Sequence, residues 1–130
     1  MGRTVALIDD SSVMRSILRK SIMMSSNLDV SDFVEAENGA KGLELIETNK
    51  SIDIIITDLH MPELGGVEMM EKLKANGTTK APIVVISTVG DEKMQNTCKG
   101  LGAVAFLKKP FSHEDIEGLL TTVIKDHLGG

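Results

Sequence analysis

The chain has no tryptophan and no tyrosine, and among its 130 residues there are only one cysteine, three prolines and three phenylalanines. Each scarcity removes a class of function. Cys98 alone closes no internal disulfide and supplies no C-x-x-C redox or zinc motif, which fits a reducing cytosol. With only Phe33, Phe106 and Phe111, there is no aromatic platform on which bases or sugars could stack. Positive charge is also short: 14 lysines and arginines face 19 acids, a net charge of −5. A nucleic-acid backbone or an anionic lipid surface is repelled on average, so direct nucleic-acid binding is disfavoured. Uninterrupted apolar runs reach only about five residues against the roughly 20 that cross a bilayer, so no membrane insertion is expected. No charged segment followed by an apolar one opens the sequence, and no leader is expected.

What is present is aliphatic. Hydrophobic residues make up 42%, with eight methionines as adaptable filler. The length suits a single domain over residues 1–130. Short β-branched runs recur at Val5–Ile8, Ile54–Ile56, Ile83–Ile86 and Ala103–Leu107, nearly free of polar residues. Strands covered on both faces look like this, as in parallel sheets. A fifth run, Val30–Ala36, is interrupted by Ser31, Asp32 and Glu35 and reads as an edge strand. Between the strands lie helical patterns: Val13, Met14, Ile17, Leu18 and Ile22 after Ser11; Ala40, Leu43 and Ile46 after Asn38; Val67, Met70 and Leu73 after Gly65-Gly66. The pattern from Asp91 offers only Met94, Cys98 and Leu101, so that helix should be held most loosely. The last, capped by Ser112 with Asp115 three residues on, carries Ile116, Leu119, Leu120, Val123, Ile124 and Leu128. Strict alternation predicts an α/β domain, a parallel sheet between helices reached by right-handed crossovers.

In such sheets the functional crevice lies at the carboxyl ends of the strands. There the runs end in Asp9-Asp10, Asp58, Ser87-Thr88 and Lys108-Lys109 before Pro110. Taken singly, each has a plain structural use: an Asp capping the next helix, a turn hydroxyl, a solvated lysine. Together they are a different matter. Two unit charges about 4 Å apart repel by roughly 4 kcal/mol at an effective dielectric near 20. Three converging carboxylates therefore need a cation, a shared proton or separation, and a hard dication with oxygen ligands answers best.

The sequence resembles the response-regulator receiver domain, the CheY-like family of two-component signalling, over essentially its whole length. The residues that carry the likeness are the acidic pair in ALIDDSSVMR, the DIIITDLHMPELGGVEMM stretch around Asp58, PIVVIST ending beyond Ser87, and AFLKKPF with Lys109-Pro110-Phe111. The resemblance implies a doubly wound, flavodoxin-like sheet of order 2-1-3-4-5. It implies Asp58 as phosphoacceptor from a histidine kinase or histidine phosphotransfer protein, with Mg²⁺ held by Asp9, Asp10, Asp58 and the backbone carbonyl of His60. Lys109 and the hydroxyls at Ser87 and Thr88 would meet phosphoryl oxygens, Lys109 rather than Lys108 because the family's lysine directly precedes the proline. A cis Lys109-Pro110 bond is implied, against a base rate of about 5%. Ser87 and Phe106 would form the switch that alters a partner surface on the fourth helix, fifth strand and fifth helix; the plain alternative for Phe106 is core packing. His60 and Val89 occupy positions that tune phosphoryl hydrolysis in the family, though His60 also reads as an exposed loop residue and Val89 orients no water. Gly65 stands where the family often has an acid.

Such a protein is a signalling receiver rather than an enzyme with an external substrate. It would be a monomer or weak dimer, stand-alone or cut from a longer chain, acting on a downstream protein such as a chemotaxis or flagellar motor component. Two other classes compete. A haloacid-dehalogenase-type phosphatase also forms an aspartyl phosphate, but it wants a second Asp where His60 stands, and a cap domain. A flavodoxin-like flavin carrier wants a Ser/Thr-rich phosphate loop and aromatic rings beside the flavin.

Overall fold

The β-branched runs become the strands of one sheet. The computed structural model describes residues 2–129; Met1 and Gly130, the ends of the expected domain, lie outside the described residues. Strands β1 (Arg3–Ile8), β2 (Val30–Ala36), β3 (Ile54–Thr57), β4 (Ile83–Ser87) and β5 (Ala103–Lys108) alternate with helices α1 (Ser12–Met23), α2 (Gly39–Thr48), α3 (Gly66–Asn76), α4 (Glu92–Gly100) and α5 (His113–His127). A short 3₁₀ turn, Ser26–Leu28, precedes β2. The strands lie in the order β2-β1-β3-β4-β5, and every neighbouring pair is parallel. The parallel sheet is the one expected from the alternation, and its doubly wound order is the one the family resemblance implies.

The two faces of the sheet are sealed by period-2 alternation within each strand. Ala6, Ile8, Ile55, Ile83 and Val85 pack with Ile46 of α2, Met69, Met70 and Leu73 of α3, and Cys98 of α4. Val5, Leu7, Ile54, Ile56, Val84 and Ile86 pack with Leu18 and Ile22 of α1 and with Ile116, Leu120, Val123 and Ile124 of α5. The central strands β3 and β4 are buried throughout, whereas β2 is mostly exposed or half-buried, as befits an edge.

The structure departs from the sequence reading in detail. Strand β1 begins at the polar Arg3, because Arg3 pairs with Val30 and its guanidinium donates to the Leu28 carbonyl at 3.0 Å. In α3 the stripe includes the fully buried Met69, while Val67 is only half-buried. The β4–β5 ladder shifts register between Ile83 and Val84, so Val104 is left exposed and Phe106 returns to the face that Ala103 packs on. Helix α4 fully buries Cys98 alone. Its apolar stripe is as thin as the sequence implied.

Helix α5 begins with a capping box: Asp115 N–H donates to the Ser112 hydroxyl at 3.1 Å and Ser112 N–H to the Asp115 carboxylate at 2.9 Å. Ser112→Ala removes half of it. The variant should lose about 1 kcal/mol of unfolding free energy in a urea titration, and an unchanged midpoint would show that the cap is energetically idle.

Candidate functional site

Strand register brings the polar residues together. Ile8 pairs with Thr57 across β1 and β3, and the ladder continues one bond further, with Asp58 N–H donating to the Ile8 carbonyl at 2.9 Å. Asp9 and Asp58, the next residues on each strand, therefore emerge side by side. On the other flank, Lys109 N–H donates to the Ser87 carbonyl at 2.8 Å, extending the β4–β5 ladder to the same edge. This edge lies where the chain leaves β1 for β2 on one side and reaches β3 on the other, the switch point at which open α/β sheets form their crevices.

Neither aspartate at the end of β1 caps the following helix. Ser11 does so, accepting from Met14 N–H at 3.1 Å, and Gly65 holds the corresponding place before α3. Asp9, Asp10 and Asp58 are thus free of the simplest structural use. Their carboxylates can each offer an oxygen within 4.8 Å of the others. Asp9 is buried, Asp58 half-buried and Asp10 exposed. Asp9 also accepts from Ser11 N–H at 2.9 Å, and Asp58 from Leu59 N–H at 2.6 Å.

The Lys109 ammonium joins two of the acids. It donates to Asp9 Oδ2 at 3.0 Å and to Asp58 Oδ2 at 3.2 Å, with its side chain 12% exposed. Burial weakens its hold on the proton, but the hydrogen bond and charge of Asp9, then those of Asp58, outweigh this and raise the Lys109 pKa. Asp9 also titrates above the ordinary carboxyl value, because its burial outweighs the Ser11 amide and the lysine that favour the anion, with Asp58 repulsion adding to the rise. Three acids against one ammonium leave the pocket short of positive charge.

The remaining residues fall around this core. Ser87 is fully buried and its Oγ accepts from Val89 N–H at 3.2 Å; Thr88 is exposed. Val89 thus acts here through its backbone. His60 is exposed on the loop after β3. Lys108 is exposed, and the Lys109-Pro110 peptide is cis. Phe106 is half-buried against the core, with its ring beside the loop after β4: a Cβ added to Gly90 would lie 3.3 Å from Phe106 Cε1. Two contributors escaped the sequence reading. Gly66 lets α3 approach the site so closely that a Cβ there would fall 2.2 Å from the Asp58 carbonyl oxygen. Arg15 donates to the Asp9 carbonyl; its signal was a cation in the first turn of a helix, where the macrodipole disfavours one.

Fold and pocket together define a flavodoxin-like α/β domain with an acidic, lysine-bridged crevice at its switch point. The response regulator receiver domain model matches residues 5–121. Chemotaxis protein CheY1 of Helicobacter pylori strain J99 is 32% identical over 119 residues, which span 91% of this chain and 94% of that protein. A CheY homologue of Campylobacter jejuni is 30% identical, covering 91% of this chain and 89% of its own length. Among solved structures, chemotaxis protein CheY4 of Vibrio cholerae superposes with a TM-score of 0.82 at 24% identity, over 95% of this chain and 99% of that one. A CheY-like receiver from Methanospirillum hungatei reaches 0.82 at 17% identity, with 100% of both chains covered. The chain belongs to the response regulator receiver family. The phosphatase alternative finds no support.

Replacing Lys109 by Met leaves two neighbouring carboxylates without their shared counter-charge. Unfolding free energy at neutral pH should fall by about 2 kcal/mol, less than the roughly 3–5 of a fully enclosed pair. The loss should shrink as pH falls through the carboxyl range, since protonation removes the repulsion the lysine offset. Equal stability of the two proteins at neutral pH in urea titrations would show that the bridge is not an energetic contact.

Proposed function

We propose that this receiver takes a phosphoryl group onto Asp58 from a phosphohistidine donor, a histidine kinase or a histidine phosphotransfer protein, in a Mg²⁺-dependent reaction. The observation that carries the reading is the Lys109 ammonium shared by Asp9 and Asp58, beside a third carboxylate, at the switch-point edge.

The donor set fits magnesium: hard oxygen ligands, few carboxylates and an open side at the exposed Asp10 for retained waters and a phosphate. Asp9, Asp10, Asp58 and the His60 carbonyl are the residues to hold it, and bound there it would neutralise charge on the phosphoryl oxygens. The chain's own residues do the rest. An Asp58 carboxylate oxygen forms the new P–O bond as the donor's N–P bond breaks, and the donor imidazole keeps the electron pair and regains a proton. Such transfers are catalysed mainly by positioning and charge, not by covalent help. Lys109 exchanges one carboxylate contact for a phosphoryl oxygen, keeping a charge-assisted bond. Ser87 has a hydroxyl hydrogen to give, its oxygen being already engaged as acceptor, and Thr88 stands next to it on the exposed side. Val89 has no group to orient a water, so His60 or an external phosphatase governs how fast the phosphoryl group is lost.

The product adds about −1.5 to −2 charges where negative charge was already in excess. Ser87 and Phe106 then pass the change to a surface of α4, β5 and α5 that binds a downstream protein, without direct nucleic-acid contact or membrane insertion. Val104 on β5 is an exposed apolar residue on that surface. The chemotaxis proteins among the relatives favour a chemotaxis partner, the flagellar motor among the choices. We place the protein in the cytoplasm as a monomer or weak dimer; no helix among the described residues is long and apolar enough to cross a membrane.

Incubation with Mg²⁺ and a small acyl phosphate, followed by intact-mass measurement, should show one added phosphoryl group. Chelation of the metal or Asp58→Asn should abolish it. No added mass on the unaltered chain, or the same mass on the Asn variant, would overturn the assignment.

A further inference from the structure

We infer that Arg15 is a positioning residue for the phosphoacceptor pocket, clamping the Asp9 backbone to Glu35 of β2 so that the buried Asp9 carboxylate keeps its aim. The inference rests on the reading of Asp9 as part of a cation- and phosphoryl-binding pocket.

The clamp is visible as a fork. Arg15 Nη1 donates to the Asp9 carbonyl at 2.5 Å, while Nε donates to Glu35 Oε1 at 2.8 Å. The other oxygen of Glu35 is taken by Arg19, one turn further along α1. One planar guanidinium thus spans from the β1–α1 junction to the neighbouring strand, a geometry that a lysine's point charge does not reproduce. The Arg15 side chain is only 17% exposed and that of Glu35 29%, so the pair is partly shielded from screening.

The placement argues against a merely decorative ion pair. Arg15 sits in the first turn of α1, where no acidic residue stands and the helix macrodipole disfavours a cation. A residue chosen for helix stability would be neutral or acidic. What the position gains is access to the Asp9 carbonyl, at the point where the chain leaves the ladder. Asp9 is otherwise held by its N–H to the Ala36 carbonyl at 3.1 Å and, at its carboxylate, by the Ser11 amide at 2.9 Å and the Lys109 ammonium at 3.0 Å; none of these fixes its carbonyl. Asp58 repels the buried Asp9 carboxylate, and Arg15 is the charged side chain that ties the Asp9 backbone toward β2. Partners one shell behind a metal ligand commonly contribute tenfold or more to affinity by fixing its orientation.

The test uses the full chain and two readouts. In the metal-free protein, Arg15→Ala should speed hydrogen exchange at Asp9 and Ser11 N–H selectively, leaving Val85 in the core unaffected. Calorimetric titration with Mg²⁺ alone should show binding weakened by about tenfold. Arg15→Lys and Glu35→Gln keep helix propensity or shape while opening one arm of the fork, and each should show the same pattern at smaller size. If all three variants keep wild-type Mg²⁺ affinity and local exchange while only the urea midpoint falls, Arg15 is a structural ion pair and the inference fails. Failure of the phosphoacceptor reading is distinguishable, since it would show in the unaltered chain as no phosphoryl uptake, whatever the variants do.

Discussion

Everything at the working edge of this protein depends on one ammonium group standing between two carboxylates. Lys109 meets Asp9 and Asp58 at 3.0 and 3.2 Å, and without it the register of β1 against β3 would force like charges together. At an effective dielectric near 20, a pair about 4 Å apart costs roughly 4 kcal/mol. The central position of both strands makes this unavoidable: Val5 to Ile8 and Ile54 to Thr57 are buried, so neither strand can slip without exposing its core. A one-residue slip would turn every side chain to the wrong face. The sheet therefore holds the acids close, and Lys109, reaching in from the end of β5, makes that tolerable.

The bridge is incomplete by charge. Asp10 remains exposed beside it, and the pKa of Asp9 stays raised despite the lysine, because burial and Asp58 repulsion still act on it. A site built only for stability would have replaced one acid with a neutral residue, since such pairs rarely repay their desolvation. On the function proposed here, excess negative charge held at fixed strand ends suits the entry of a further cation. The same economy shows at Gly66, where the absence of a Cβ lets α3 lie against the Asp58 carbonyl and fix the strand end that presents the carboxylate.

Much of this was legible in the sequence, for physical reasons that differ by feature. Strand positions followed from β-branched runs that only a doubly covered sheet requires, and the edge character of β2 followed from Ser31, Asp32 and Glu35. The convergence of Asp9, Asp58, Ser87 and a lysine followed from each standing at a strand's end, while the choice of Lys109 over Lys108 rested on the family resemblance alone. The residues that hold the site were less visible. Whether Ser11 or an aspartate caps α1 is a choice between adjacent good caps, decided by which can turn inward to the lysine. The Arg15–Glu35 pair links positions 20 residues apart on elements whose packing no local pattern specifies. The register shift beside Val104, which sends Phe106 to the helix α4 side, leaves no mark in an apolar run.

Those less visible contacts also show how a change at Asp58 would travel, on the function proposed here. Ser87 Oγ is already bound to Val89 N–H, so a hydroxyl drawn toward a phosphoryl group cannot move without pulling on the loop after β4. That loop is tied to α4 twice: Gln95 Nε2 donates to the Gly90 carbonyl at 2.8 Å, and Asp91 caps the helix by accepting Met94 N–H at 2.8 Å. The same Gly90 lies against the Phe106 ring, so the loop and the ring cannot rearrange independently. Helix α4, which fully buries Cys98 alone, opposes such a shift least of all the helices. Segments that move in signalling are drawn from the weakly held end of a structure. Here the weak helix is the one the pocket's hydroxyl is wired to, which turns a thin apolar stripe from a defect in packing into the compliant element a two-state switch requires.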